Sequence, residues 1–273
     1  MTQAERAARF RRLHEERPLV LPNAWDAASA RVIELAGAPA IATTSAAVSW
    51  TLGRADGEQL DRDEMIGVVR RIVRAVTVPV TADVESGYGT GSEDDVAATV
   101  RAVLDAGAVG INLEDSQGVA LLPPERQAGR IRAARAAAVA AGTDLVINAR
   151  VDVYFFGTGS PNLRLEETVR RATVYRAAGA DCVFVPGVVD PGIIALLVER
   201  NGGPVNVMAG PGAPTTAELG RLGVARVSVG PAIAQVALEA TRRAARELLQ
   251  HGSLGSPEAA MPFGEANGMF EHA

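Results

Sequence analysis

The stretch VPVTADVESGYGTGSEDD (residues 78–95) runs from an apolar, β-prone segment into two carboxylates, Asp83 and Glu85, and then into Gly-Tyr-Gly ahead of a helix start. Successive strand side chains point to opposite faces, so acids at i and i+2 share one face. Two like charges side by side are costly unless something positive lies between them. Other polar residues recur at or near the ends of β-prone runs: Asn23, Ser45, Asp56, the pair Glu114 and Asp115, Arg150, and Asn206 within its run. An acidic, oxygen-only cluster without His or Cys suits a hard cation, Mg2+ or Mn2+, which keeps several waters and takes few direct protein ligands. A helix cap or a salt bridge is the plain alternative for Asp83 and Glu85 alone; Glu114 and Arg150 at equivalent strand ends favour function. Asp115 is read as structural, because alternation turns it away from Glu114. Arg150 has the planar geometry to fork onto a substrate carboxylate, and an ion pair with Asp152 is its competing role.

These residues need a scaffold that brings strand ends together. Eight β-prone runs, at 19–22, 40–45, 78–83, 109–115, 144–150, 182–186, 204–209 and 225–230, alternate with helical patterns such as DRDEMIGVVRRIVRAV and PERQAGRIRAARAAAVAAG. Acids or Ser near the helix starts and Gly at several ends mark their boundaries. Strand then helix, repeated eight times in about 250 residues, with strands too apolar to be half-exposed, predicts an α/β fold, a parallel (β/α)8 barrel. In such a barrel the active site lies at the carboxyl ends of the strands. A doubly wound sheet is second choice, because VESGYGTG lacks the spacing of a dinucleotide fingerprint. The predicted organisation is an N-terminal helix and one barrel domain over 1–250, then a tail over 251–273 whose Phe263 and Phe270 either move freely or pack on a neighbouring subunit.

Composition removes much other chemistry. The three histidines, His14, His251 and His272, lie in terminal segments, so a His-based triad or multi-histidine metal site is not expected. The single cysteine, Cys182 in DCVFVP, reads as a small core residue. All 27 basic residues are arginine. Without a lysine amine there is no Schiff-base aldolase, no pyridoxal phosphate enzyme and no Walker-type phosphate loop. A net charge of −5 with scattered basic residues argues against nucleic acid. The apolar runs are too short for a membrane span, and MTQAERAARFRRLHEERP reads as a charged amphipathic helix rather than a signal peptide. A soluble, cytoplasmic protein with a small-molecule partner is the expectation.

Five segments, TTSAAVSWTLGRAD, ADVESGYG, GINLED, INARVD and PVNVMAGPG, stand in an order that resembles the isocitrate lyase and phosphoenolpyruvate mutase superfamily over roughly residues 18–250. The resemblance implies a tetrameric (β/α)8 barrel that exchanges its last helix between neighbours, and Mg2+-dependent chemistry on a 2-oxo or 2-hydroxy carboxylic acid. It also implies Asp83 as direct metal ligand, Glu85 and Glu114 as holders of metal-bound waters, and Asp56 as the loop acid that approaches metal and substrate. Thr44, Ser45, Ala46 and Arg150 would hold the substrate carboxylate, with Asn206 as a further contact. The lyases of that superfamily carry a Lys-x-Cys-Gly-His type motif where this chain has EDSQGVALLPPERQ, and the mutases' loop lysine is also missing. Where many relatives carry Glu or His, this chain has FVPGVV. The binding half is thus kept and the proton-transfer half altered, leaving a metal-bound water or Tyr88 as the proton source, with a gate or packing role the plain alternative for Tyr88. Carbon–carbon cleavage or decarboxylation through a metal-stabilised enolate fits best. Phosphonopyruvate-type mutase or hydrolase chemistry is the second reading, and a non-catalytic 2-oxo acid binder the third.

Overall fold

Each of the eight β-prone runs forms a strand, and the strands lie parallel in one sheet that nearly closes on itself. The computed structural model describes residues 1–16, 18–253 and 260–271; of the predicted tail, 254–259 and 272–273 lie outside the described residues. The chain opens with α1 (Gln3–Leu13), β1 (Leu19–Leu21), β2 (Asn23–Ala24), α2 (Ala27–Leu35), β3 (Ile41–Thr43), α3 (Ser45–Thr51), α4 (Arg62–Ala75), β4 (Val80–Asp83), α5 (Glu93–Asp105) and β5 (Gly110–Glu114). A small antiparallel hairpin, β6 (Ser116–Gln117) and β7 (Ala120–Leu121), follows. Then come α6 (Pro124–Ala140), β8 (Val146–Arg150), α7 (Pro161–Ala177), β9 (Cys182–Val185), α8 (Pro191–Arg200), β10 (Val205–Met208), α9 (Thr216–Arg221), β11 (Arg226–Ser228), α10 (Ala232–His251) and α11 (Phe263–Gly268).

The sheet order is β1-β11-β10-β9-β8-β5-β4-β3-β2, so its two edges are consecutive pieces of the stretch 19–24. Pro22 interrupts that stretch, since it has no N–H to give to a ladder. β1 pairs with β11 and β2 with β3, which makes one broken stave serve both sides of the closure. The architecture is a (β/α)8 barrel.

Local chemistry sets the helix starts. Asp26, Asp61, Ser92 and Thr215 each accept from a backbone N–H three residues on, and the side chain of that third residue bonds back, forming capping boxes. Gly107 ends α5 with φ 93°, a left-handed turn that a side chain resists.

Apolar residues on the outer face of the sheet meet the helices in one continuous core. The inner face differs from the uniformly apolar strands expected from the sequence. Arg226 on β11 donates across the barrel to Asn112 on β5 at 3.2 Å, and Asn148 on β8 donates to the same oxygen at 2.8 Å. Inward positions in the middle of the barrel are therefore polar. The amino-terminal end is sealed by α1, whose Ala7 and Phe10 pack with Leu19, Leu21, Ala40, Ala42, Val109 and Val146. Gly110 makes room for this plug, because a Cβ there would lie 2.7 Å from the Phe10 ring.

α10 buries only Ala234 and exposes Val236, Leu238, Leu248 and Leu249. α11 returns to α2, where the Met269 carbonyl accepts from Arg31 Nε at 2.8 Å, and Phe263 and Phe270 remain exposed. No helix among the described residues is long and apolar enough to cross a membrane.

Candidate active site

At the carboxyl ends of β4, β5 and β8 the barrel gathers Asp83, Glu114 and Arg150. β4 delivers Asp83 in register with Asn112, and β5 delivers Glu114 in register with Arg150 of β8. Asp83 is held from two sides: its N–H donates to the Thr43 hydroxyl at 2.8 Å, and its Oδ2 accepts from the Ser45 N–H at 3.0 Å. Its other oxygen, Oδ1, is buried without a hydrogen-bond partner. A buried carboxylate oxygen without a protein partner can accept from a water or bind an ion.

Glu85 reaches this cluster by a route the sequence did not disclose. β4 ends at Asp83, and Glu85 lies in the turn beyond it with a left-handed backbone, φ 49°. Strand alternation therefore does not place the two acids together; the turn does. Glu85 Oε2 accepts from the Glu58 N–H at 2.6 Å and Oε1 from the Tyr88 hydroxyl at 3.2 Å.

Arg150 takes the ion-pair role foreseen for it and more. Nε donates to Asp152 Oδ1 at 2.6 Å, and Nη1 pairs with Glu114 Oε1. The guanidinium lies 4.8 Å from the centre of the Phe155 ring, a cation–π contact. Nη2 is the edge not committed to these carboxylates. Ser116 donates to Asp152 Oδ2 at 2.7 Å and completes this side of the mouth.

Arg150 pairs with Glu114 and Asp152 beside Asp83 and Glu85, and the proton affinities of Asp83, Glu85 and Glu114 register the crowding of negative charge. Burial raises Asp83, with Arg150 and the Ser45 N–H opposing it. Burial, then the charge of Asp83, pushes Glu85 up to about 7. Burial holds Glu114 well above the usual range, against the pull of Arg150. Burial pulls Arg150 down, but Glu114, Asp152 and Asp83 outweigh it, so its pKa is raised. Tyr88 is raised by burial and by Glu85 and Asp83, which fixes its proton on the phenol oxygen.

The remaining residues singled out in the sequence are distributed around this cluster. Asp56 stands exposed on the loop above it, close enough for its charge to raise Asp83 and Glu85. Thr44 caps α3, and Ser45 and Ala46 are buried in its first turn, with the Ser45 N–H already given to Asp83. Asn206 lies inside the barrel, 0% exposed, with Nδ2 lacking a partner. Asn23 ties the closure, donating to the Thr43 carbonyl at 2.8 Å and accepting from the Val229 N–H at 2.9 Å. Asp115 points out of the barrel to Arg171 and Tyr175. Cys182 is buried in β9, its thiol pushed up to about 12 by burial.

Thr43, Glu58 and Ser116 bind the cluster together and went unremarked in the sequence. Thr43 is the first residue of TTSAAVSW and Ser116 follows Glu114 by two, but nothing in local pattern signals Glu58. A cavity of about 410 Å3 lies between the start of α4 and the turn after β4, lined by Glu58, Asp61, Asp63, Tyr88 and Asp95 and not by Asp83, Glu114 or Arg150.

The donor set fits a hard divalent cation: oxygen ligands only, an open oxygen on Asp83, and excess negative charge. Among the described residues no group of three or more His, Cys, Asp or Glu side chains forms a ready metal cage. Such a cation would rest on Asp83 with waters held by Glu85 and Glu114, in keeping with its preference for few direct protein ligands.

Comparison with known proteins places this geometry. The model of the phosphoenolpyruvate phosphomutase family matches residues 10–249. The crystal structure of a candidate phosphonomutase from Burkholderia cenocepacia J2315 superposes with a TM-score of 0.85 at 46% identity, covering 89% of this chain and 99% of that one. A 2,3-dimethylmalate lyase of the PEP mutase/isocitrate lyase superfamily superposes with a TM-score of 0.84 at 28% identity, over 96% of this chain and 92% of that one. Oxaloacetate decarboxylase 2 of Pseudomonas putida (strain W619) is 31% identical over 229 residues, 80% of this chain and 71% of its own length.

Proposed function

Because the chain belongs to the phosphoenolpyruvate phosphomutase family, within a superfamily of lyases and mutases, we propose that it is a Mg2+-dependent lyase that cleaves or decarboxylates a small 2-oxo or 2-hydroxy carboxylic acid. The observation that carries this reading is the mouth itself, where Arg150 pairs with Glu114 and Asp152 beside Asp83 and Glu85, and one oxygen of Asp83 has no protein partner. A divalent cation bound there supplies Lewis-acid polarisation of a substrate oxygen, the function that an imine-forming lysine serves elsewhere.

The chain's own residues do the rest. Arg150, stacked on Phe155 and fixed by two carboxylates, offers Nη2 to a substrate carboxylate. The first turn of α3, at Thr44, Ser45 and Ala46, closes the other side of that subsite. Loss of carbon dioxide from a 3-carboxylate leaves its electron pair in an enolate, which needs no protein base to form but needs a proton at carbon. A water in the mouth or Tyr88 supplies that proton; the Tyr88 hydroxyl donates to Glu85 at 3.2 Å, and burial with its acidic neighbours makes it a weaker acid than a free phenol. Asp56, on the exposed loop above, is the acid positioned to descend on bound substrate.

The 46% identity to a candidate phosphonomutase favours one further reading, phosphonate chemistry with Asp56 as nucleophile or water-positioning acid. One panel separates the readings: 2-oxo and 2-hydroxy acids, oxaloacetate and phosphonopyruvate included, each assayed with Mg2+ and with a chelator. Chelator-sensitive loss of carbon dioxide or cleavage of a 2-oxo acid supports the lyase. Consumption of phosphonopyruvate alone transfers the assignment to phosphonate chemistry. Binding without turnover across the panel makes the chain a 2-oxo acid binder.

We also propose a homotetramer, on the ground that the 20-residue α10 has a single buried residue and an apolar exposed face. Light scattering tests it; a monomer at working concentration would refute it.

A further inference from the structure

Three non-glycine residues among the described ones have a left-handed backbone: Glu58 (φ 55°), Glu85 (φ 49°) and Tyr88 (φ 64°). That conformation is strained for a side chain and persists only where the surroundings enforce it. All three belong to one clasp. Glu58 Oε1 accepts from the Ser86 N–H at 2.9 Å, the Ser86 hydroxyl at 2.6 Å and the Tyr88 N–H at 3.0 Å. In return the Glu58 N–H donates to Glu85 Oε2 at 2.6 Å. Gly87, between these partners, lies so close to α5 that a Cβ would approach Val96 to 2.6 Å, so the turn is pressed down as well as tied from above.

We propose that Glu58 is a positioning residue for the active site. Its carboxylate holds the turn 85–88 in the one conformation that aims the Glu85 carboxylate and the Tyr88 hydroxyl at the mouth. The reciprocal bond fastens the loop that carries Asp56, two residues upstream, to the same turn. Neither side of the clasp is complete alone: the Asp56 loop is anchored through Glu85, and Glu85 is aimed through Glu58. The inference rests on the acidic mouth being the working site, as proposed above.

The test compares Glu58→Ala and Glu58→Gln with Asp61→Ala. Asp61 caps α4 three residues on, accepting from the Glu64 N–H at 2.8 Å, and takes no part in the clasp. Amide hydrogen exchange at Ser86 and Tyr88, read without metal, reports the clasp; Mg2+ calorimetry reports its consequence. Glu58→Ala is expected to speed exchange at both amides at least about tenfold and to weaken Mg2+ about 10- to 100-fold, the usual range for residues that orient ligands. Glu58→Gln, which keeps an acceptor in place, should recover most of both. Asp61→Ala should lower the melting temperature and leave both readouts unchanged. Wild-type exchange at Ser86 and Tyr88 in Glu58→Ala, or equal losses in Asp61→Ala, would overturn the proposal. Should the wild type bind no Mg2+, the functional reading fails, and the exchange data still decide whether the clasp exists.

Discussion

Glu114 and Asp115 are consecutive acids that look out on opposite sides of the barrel wall. Asp115 faces α7, where it accepts from Arg171 Nη1 at 2.9 Å, the Tyr175 hydroxyl at 2.8 Å and the Asp152 N–H at 2.9 Å. Glu114 faces the mouth, where Arg150 is its ion-pair partner and the Ser116 hydroxyl is 3.5 Å away. Burial and then the charge of Asp152 raise Asp115, with the Asp152 N–H, Arg171 and Tyr175 pulling it back, whereas Glu114, raised by burial, has Arg150 against the charges of Asp152, Asp83 and Glu85. The outer cluster is completed by the fold. The inner one keeps an oxygen of Asp83 without a protein partner, and under the proposed function a bound cation would complete it.

The largest expected effect falls on the outer cluster. Asp115→Ala takes the buried carboxylate from Arg171, which keeps Glu167 and the Leu122 carbonyl, and removes the acceptor of the buried Tyr175 hydroxyl; it should destabilise the protein by about 3 kcal/mol in chemical denaturation. Asp83→Asn, measured alongside without metal, should stay within about 1 kcal/mol of wild type or exceed it, since it relieves repulsion. Equal costs at the two sites would break the comparison.

The pH dependence sharpens it. Glu85 binds its proton more tightly folded, at about 7, than at its ordinary 4.5. The folded state therefore holds more protons than the unfolded one between those values, and stability must fall as pH rises through that window. The loss from this one group is at most about 3 kcal/mol, at about 1.4 kcal/mol per pH unit. Denaturation of metal-free protein from pH 4.5 to 7.5 should show the slope, and Glu85→Gln should make it shallower, leaving the part due to Asp83, Glu114 and Asp115; an unchanged slope in that variant would remove Glu85 as a source.

The smallest effect concerns Arg150. Arg150→Lys keeps the charge but cannot span Glu114, Asp152 and a substrate at once, so substrate binding should weaken about tenfold, or about 1.4 kcal/mol. An unchanged binding constant would confine Arg150 to its two ion pairs.

Much of this contrast was legible in the sequence, because periodicity carries it. The eight strands appear where the β-prone runs lie, one to three residues shorter, and simple alternation turned Asp115 away from Glu114. The polar middle of the barrel was hidden, since Thr81, Asn112, Asn148 and Arg226 are single residues among Val, Ile and Ala. Pro22 was visible, but the division of labour between β1 and β2 was not, because it depends on which neighbours close the sheet. The left-handed turn at Glu85 and the clasp through Glu58 join loops 27 to 30 residues apart, and no local pattern encodes such contacts. Asn206, expected as a further substrate contact, is fully buried in β10 with Nδ2 unpartnered, registered through Phe184 with Arg150.

The central claim, that the mouth is completed by a divalent cation resting on Asp83, is tested most directly by Mg2+ calorimetry on wild type and Asp83→Asn, with a thermal melt of each. The account predicts Mg2+ binding by the wild type, affinity lower by at least about 100-fold in Asp83→Asn, and an unchanged or higher melting temperature without metal. Equal Mg2+ affinity in the two proteins would contradict it, and lost binding accompanied by collapse of the fold would return Asp83 to a structural role.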